Sequence, residues 1–139
     1  MSDKTIEVSC AVLVMDGKVF LAQRSAAKSQ GLKWEFPGGK IEPGETAENA
    51  LKREIYEELG ARVKVLNKLD RVSWSQANPG DLVIILHPFV CKLEDGVFKL
   101  KEHIASQWVE PENIIGKIDL CEADIPIVSQ LLSKRFWRP

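Results

Sequence analysis

Cysteine is scarce and poorly placed for structural use. Cys10, Cys91 and Cys121 are odd in number, widely spaced and form no C-x-x-C pair. With only His87 and His103 beside them, the usual zinc sites cannot be assembled, and reduced thiols in a cytoplasmic compartment are expected. Apolar runs such as residues 82–86 fall far short of a bilayer span, and residues 1–4 lead into an alternating strand pattern rather than an apolar signal core. Excess charge is lacking as well. Nineteen Lys and Arg against twenty Asp and Glu leave a net charge of -1, which excludes a dedicated, basic duplex-nucleic-acid binder. No G-x-x-x-x-G-K-[ST] string occurs, which excludes a P-loop kinase or ATPase.

What is present is an ordinary folding chain. Its 139 residues, 45% hydrophobic and 28% charged, predict one domain over 1–139 with no linker or internal repeat. Residues 6–15 read as a buried strand, and Asp16-Gly17 as a two-residue hairpin turn into a second strand around 19–22. Residues 25–31 read as a loop, Trp34 and Phe36 as a short extended piece, and Pro37-Gly38-Gly39 as a break in regular structure. A helix follows, capped by Thr46 and closed by Gly60, with Leu51, Ile55 and Leu59 as its buried stripe. Strands are expected over 63–74 and 82–93, with a turn at 76–81 between them. Glu94-Asp95-Gly96 then predicts a hairpin into 97–100, and Ile125, Val128, Leu131 and Leu132 predict a closing helix. Strands and helices do not alternate one-to-one. A mixed sheet flanked by helices is therefore expected rather than a doubly wound fold.

The informative stretch is the first helix and the loop before it. Glu54, Glu57 and Glu58 stand at i, i+3 and i+4, so three carboxylates leave one helix flank. Arg53 offsets part of their repulsion without serving all three. A hard divalent cation turns that repulsion into a site, and oxygen ligands suit Mg²⁺, or Mn²⁺, better than zinc. Gly38 and Gly39, lacking side chains, let backbone approach a metal or phosphate closely. Gly39, five residues, Glu45, seven residues, Arg53-Glu54-Ile55, one residue, Glu57-Glu58, one residue, Gly60 is the Nudix box. Seven fixed residues at roughly 6 to 7% usage each make a chance match about one in 10⁸ per start position. Ala61 stands where a larger aliphatic is usual.

With residues 21–24 (Leu-Ala-Gln-Arg), 34–40 (Trp-Glu-Phe-Pro-Gly-Gly-Lys) and 123–126 (Ala-Asp-Ile-Pro), the sequence resembles the Nudix hydrolases. Within them it looks most like the MutT-like nucleoside triphosphate pyrophosphohydrolases of the bacterial CTP-hydrolysing branch. The resemblance implies an α/β fold, an α/β/α sandwich around a mixed central sheet. It also implies Mg²⁺-dependent hydrolysis of a nucleoside triphosphate to monophosphate and pyrophosphate by water attack at the β-phosphorus. Carried onto matching positions, it makes Glu54, Glu57, Glu58, Glu102 and the Gly38 carbonyl metal ligands. Either Glu54 or Glu102 is the general base, and Arg53 orients a carboxylate such as Glu45. Arg24, Gly39 and Lys40 are expected to meet the nucleotide.

Asp124 is expected to read the base, to cap the last helix, or both. An ionised aspartate only accepts hydrogen bonds, which suits the cytosine N4 amine; protonation would also admit an oxidised purine. Trp34, Phe36 and Trp74 are stacking candidates that core packing explains as well. His87 and His103 each read as strand packing or a solvated loop. Alternatives are a hydrolase of ADP-ribose or dinucleoside polyphosphates and a non-catalytic nucleotide sensor. The sole tyrosine, Tyr56, lies within the box helix rather than downstream, where a diadenosine-substrate marker would stand. The expected partner is a nucleotide, with no stable nucleic acid, no membrane, and a monomer or homodimer as the assembly.

Overall fold

The structure is a computed structural model that describes residues 4–76, 82–96, 99–134 and 137. Its frame is one mixed sheet. Strand β1 (Lys4–Met15) turns at Asp16-Gly17, both at positive φ, into β2 (Lys18–Gln23). Then come β3 (Trp34–Glu35), β4 (Gly38–Lys40), helix α1 (Ala47–Leu59), β5 (Ala61–Lys68), β6 (Val72–Gln76), β7 (Leu82–Gly96), β8 (Ala105–Val109) and helix α2 (Ile125–Ser133). The central path runs β3-β2-β1-β7-β5, with β4 on β1, β6 on β7 and β8 on β2. Among the described strands β1 and β7 are the pair that runs parallel, from Lys4↔Leu82 to Leu13↔Cys91, and an isolated parallel bridge joins Trp34 to Leu120.

The two helices cover opposite faces, as α/β/α layering requires. Alternation along β1 sends Ala11 and Leu13 toward α1, where Leu51, Ile55 and Leu59 are fully buried. Val12, with Val19 and Leu21 of β2, packs on the α2 side against Ile127, Val128 and Leu131. Thr46 caps α1 by accepting from the Asn49 N–H, and Gly60 ends it at φ 67. The buried Ser9 hydroxyl donates to the Ala47 carbonyl at 2.6 Å and fixes the start of α1 on β1.

Several sequence expectations need correction. Gly38–Lys40 is not a break but a strand, paired antiparallel with residues 8–10. The single strand expected over 63–74 is two, because Gln130 of α2 captures the Asp70 backbone N–H and carbonyl, each at 2.8 Å, and turns the chain there. The hairpin expected at residues 94–96 is absent: β7 continues to Gly96, which pairs with Ala61. Residues 97 and 98, like the turn expected at 77–81, lie outside the described residues, and Lys99 and Leu100 are not in a strand. Strand β8 went unpredicted, since residues 105–109 are only half-buried and carry no clean alternation. Ile125 is half-exposed rather than part of the α2 stripe. Cys10 and Cys91 are buried free thiols and Cys121 is a partly exposed one. No described helix is long and apolar enough to cross a membrane.

Candidate active site

A cavity of about 360 Å³ opens where β1, β3, β4 and α1 meet the loop before β8. Of the predicted site residues, Arg24, Gly38, Gly39, Lys40, Glu54, Glu58, Glu102 and Asp124 line it, whereas Arg53 and Glu57 do not.

Arg53 works from behind. Its Nε and Nη2 donate to the two Glu45 carboxylate oxygens at 2.7 and 2.8 Å, a bidentate pair. Its Nη1 reaches Glu54 at 2.9 Å and Glu57 at 3.2 Å, and Nη2 also donates to the Lys40 carbonyl at 3.1 Å. One guanidinium thus joins two turns of α1 to the loop before it and to β4. Its hydrogen bond holds the Glu45 carboxyl down to about 2. Glu57 remains mostly exposed on the outer flank.

Glu58 is the carboxylate Arg53 does not reach. It is 7% exposed, and its Oε2 is buried without a hydrogen-bond partner. Burial first, then the charges of Glu54, Glu102 and Glu35, push its carboxyl up to about 8. A buried, repelled acceptor of this kind is compensated by a cation. Gly39 provides the matching close approach, for a Cβ there would overlap the Glu54 carboxylate. On Gly38 a Cβ would overlap the Ser9 carbonyl, so the β4 backbone is pressed onto β1.

The donor set is therefore hard, all oxygen and crowded with negative charge, which fits a divalent cation. Among the described residues, however, no three His, Cys, Asp or Glu side chains form a ready-made cage. Arg53 holds Glu57 back, and the Lys28 ammonium stands 3.7 Å from Glu102 Oε2. A cation of the Mg²⁺ type needs no full cage, since it keeps waters and takes ligands from a phosphate substrate.

The far end of the cavity was only partly legible in sequence. Asp124 does not cap α2; its side chain makes no cap bond. Instead Trp34 donates to the Asp119 carbonyl, and its own carbonyl accepts from the Cys121 N–H, both at 2.9 Å. The short 3₁₀ turn Glu122–Asp124 then carries the Asp124 Oδ2 to the Phe36 N–H at 3.0 Å. Burial, and secondly the Glu35 charge, push the Asp124 carboxyl up to about 8, toward the protonated form that the sequence reading left open beside the ionised acceptor.

Glu35 was missed altogether. It accepts from Arg24 Nη1 at 3.0 Å on one oxygen and faces His103 Nε2 at 2.8 Å on the other. His103 is accordingly not in a solvated loop; its side chain is 5% exposed. An acidic residue between two aromatics on a short strand was the available signal for Glu35. A lone histidine carries none. His87, on β7, faces Glu7 at 2.9 Å, in keeping with strand packing. Phe36 is core, whereas Trp74 lines an adjoining cleft of about 250 Å³ that shares Val8, Arg24, Glu35, Leu86 and Asp124 with the first.

The NUDIX domain profile matches residues 3–131. The chain belongs to the Nudix family. It is 38% identical to the CTP pyrophosphohydrolase of Escherichia coli (strain K12) over 136 residues, 98% of each chain. It is 42% identical to the 8-oxo-dGTP diphosphatase of Proteus vulgaris over 74 residues, 52% of this chain and 66% of that one. The solution structure of the E. coli ORF135 protein superposes with a TM-score of 0.79 at 38% identity, covering 99% of this chain and 95% of that one. A MutT Nudix hydrolase from Burkholderia pseudomallei gives 0.76 at 25% identity, covering 93% and 99%. The Nudix fold, with its mixed sheet between two helices, agrees with the sequence expectation.

Proposed function

We propose that this Nudix chain is a Mg²⁺-dependent hydrolase of nucleoside triphosphates that releases monophosphate and pyrophosphate, with cytosine nucleotides preferred. The observation that carries the reading is the polarity of one cavity: Glu54, Glu58 and Glu102 at one end, the Asp124–Glu35 pair at the other. The family match and the CTP pyrophosphohydrolase relative support it.

The Gly38 carbonyl, Glu54, Glu58 and Glu102 would hold the cation, joined by Glu57 once Arg53 yields it. Bound there, Mg²⁺, or Mn²⁺ in its place, supplies charge neutralisation and nucleophile activation. The chain's own residues do the rest. Arg53 keeps Glu54 oriented through Nη1, and Glu54 or Glu102 takes the proton of the attacking water. Lys28 and Lys40 bring positive charge to the phosphates, while Arg24, paired with Glu35, stands at the base end.

At the base end the Phe36 N–H marks Asp124 Oδ2 as the acceptor, which leaves the proton on Oδ1. A carboxylic acid so arranged accepts from the cytosine N4 amine and donates to N3. The same donor–acceptor pair also matches the O6 and N1–H of an oxidised guanine, and the 8-oxo-dGTP diphosphatase relative supports that as a second reading. The test is turnover with Mg²⁺ of CTP, dCTP, 5-methyl-dCTP, dGTP, 8-oxo-dGTP, ADP-ribose and diadenosine tetraphosphate. Cytosine nucleotides leading supports the first reading, 8-oxo-dGTP leading the second. ADP-ribose cleavage alone overturns both.

A further inference from the structure

His103 is a buried imidazole in the wall of the cavity with no part in the chemistry above. Glu35 is paired with the Arg24 guanidinium and so acts as acceptor on both oxygens, which makes His103 Nε2–H the donor in the 2.8 Å contact. Nδ1 is buried and has no hydrogen-bond partner. Among the described residues the ring's single polar attachment is therefore Glu35.

The chain around His103 gives that attachment its meaning. Lys101 N–H donates to the Glu58 carbonyl at 3.2 Å, and Ile104 N–H to the Gln23 carbonyl at 3.0 Å. Between these two anchors stand only Glu102 and His103. The Glu102 side chain is half-exposed, and its ion-pair partner among the described residues is the Lys28 ammonium, at 3.7 Å. The backbone anchors set the ends of the segment, and the imidazole sets its middle. Glu35, at the other end of the bond, is held on its second oxygen by Arg24 at the end of β2.

We propose that His103 is a positioning residue, whose hydrogen bond to Glu35 ties the Glu102 segment to the base end of the cleft and so sets Glu102 against the metal and phosphate end. The role deepens the hydrolase reading and rests on it. It assigns Glu35 two tasks, facing the base and holding the segment that bears a reacting carboxylate. Base recognition and chemistry are coupled through one side-chain contact.

The test pairs H103Q, whose amide N–H stands near the place of Nε2, with H103N, which is too short to reach Glu35. For H103N, kcat per folded molecule is expected to fall about 10-fold or more, with KM changed less than about threefold. H103Q is expected to recover to within about threefold of the parent protein. E35D, which withdraws the same bond from the other side, reproduces the H103N loss, and E35D/H103N falls little below the worse single variant. A purely structural role lowers the melting temperature of both His103 variants and leaves kcat per folded molecule unchanged.

Mn²⁺ affinity, measured by titration without nucleotide, gives a readout that does not depend on turnover. H103N is expected to weaken it about threefold or more, and H103Q to restore it. If the parent protein hydrolyses no triphosphate, the proposed function fails and the Mn²⁺ titration still decides the role of His103. Parent-like kcat and Mn²⁺ affinity in H103N, or additive losses in the double variant, overturn the proposal. Should H103N not fold, the Mn²⁺ affinity of E35D without nucleotide, where the base-facing task of Glu35 plays no part, decides it: a parent-like value overturns the proposal.

Discussion

The Glu54 carboxylate occupies the space where a side chain on Gly39 would begin. The two residues lie fifteen positions apart, on β4 and α1, and the contact exists because β4 is pressed onto β1 while α1 is fixed there through Ser9 and Ala47. The glycine of the box is thus a spatial requirement of its first helix glutamate, and the spacing between them records the length of the turn that joins strand to helix.

G39A should therefore damage the site more than the fold. The carboxylate, the far end of a flexible side chain, must swing off the new methyl, a shift that costs the fold little and displaces the site. Metal-dependent turnover is expected to fall at least about 100-fold, while the protein stays folded. Circular dichroism melting beside steady-state kinetics checks this; a parent-like kcat contradicts it.

Arg53 is expected to resist its nearest substitute. Lysine supplies one point charge where the guanidinium makes contacts to Glu45, Glu54, Glu57 and the Lys40 carbonyl. R53K should lose about 10-fold or more in kcat and should no longer hold the Glu45 carboxyl near 2, which a carboxylate NMR titration reads directly.

Asp124 makes a pH prediction with a definite sign. Its folded carboxyl titrates near 8 against an ordinary 3.8, so between those values the folded state holds a proton that the unfolded chain has released. Stability from this group is greatest below the lower value and falls as pH rises through the window. D124N, whose amide offers an acceptor and a donor as the protonated acid does, should flatten that part of the stability profile. It should also retain turnover at pH 7 to within about 10-fold, and lose any alkaline rise in KM that reflects ionisation of Asp124. D124A should lose base discrimination at every pH. Denaturant melts and KM measured from pH 6 to 9 decide between these outcomes.

The helix and its box were legible because their signals are local. Thr46, Gly60 and the Leu51–Ile55–Leu59 stripe fix α1 whatever surrounds it, and the carboxylate spacing follows from helix period. The Asp124 end of the cleft was not legible in the same way. Glu35, His103 and Asp124 come together only through the β2–β3 pairing, the Trp34–Cys121 contact and the segment before β8. Asp124 invited a cap reading because Ile125-Pro126 follows it, and the nearer Phe36 N–H, supplied by a distant strand, won instead. The corner at residues 69–71 was hidden for a like reason: its backbone partner is a side chain sixty positions away.

Glu58 carries the metal account, being the buried carboxylate with an unpartnered oxygen. Mg²⁺ should raise the melting temperature of the parent protein. E58Q, an uncharged near-isostere of a carboxyl that burial already pushes up to about 8, should melt close to the parent without metal and show little Mg²⁺ response. A full Mg²⁺ shift in E58Q contradicts this assignment.

The most direct test of the central claim is phosphorus NMR of the products formed from CTP with Mg²⁺, by the parent protein and by E58Q. Cytidine monophosphate and pyrophosphate in equal amounts, with turnover reduced by at least about 100-fold in E58Q, is the predicted result. Release of inorganic phosphate, no turnover by the parent protein, or parent-like turnover in E58Q would contradict it.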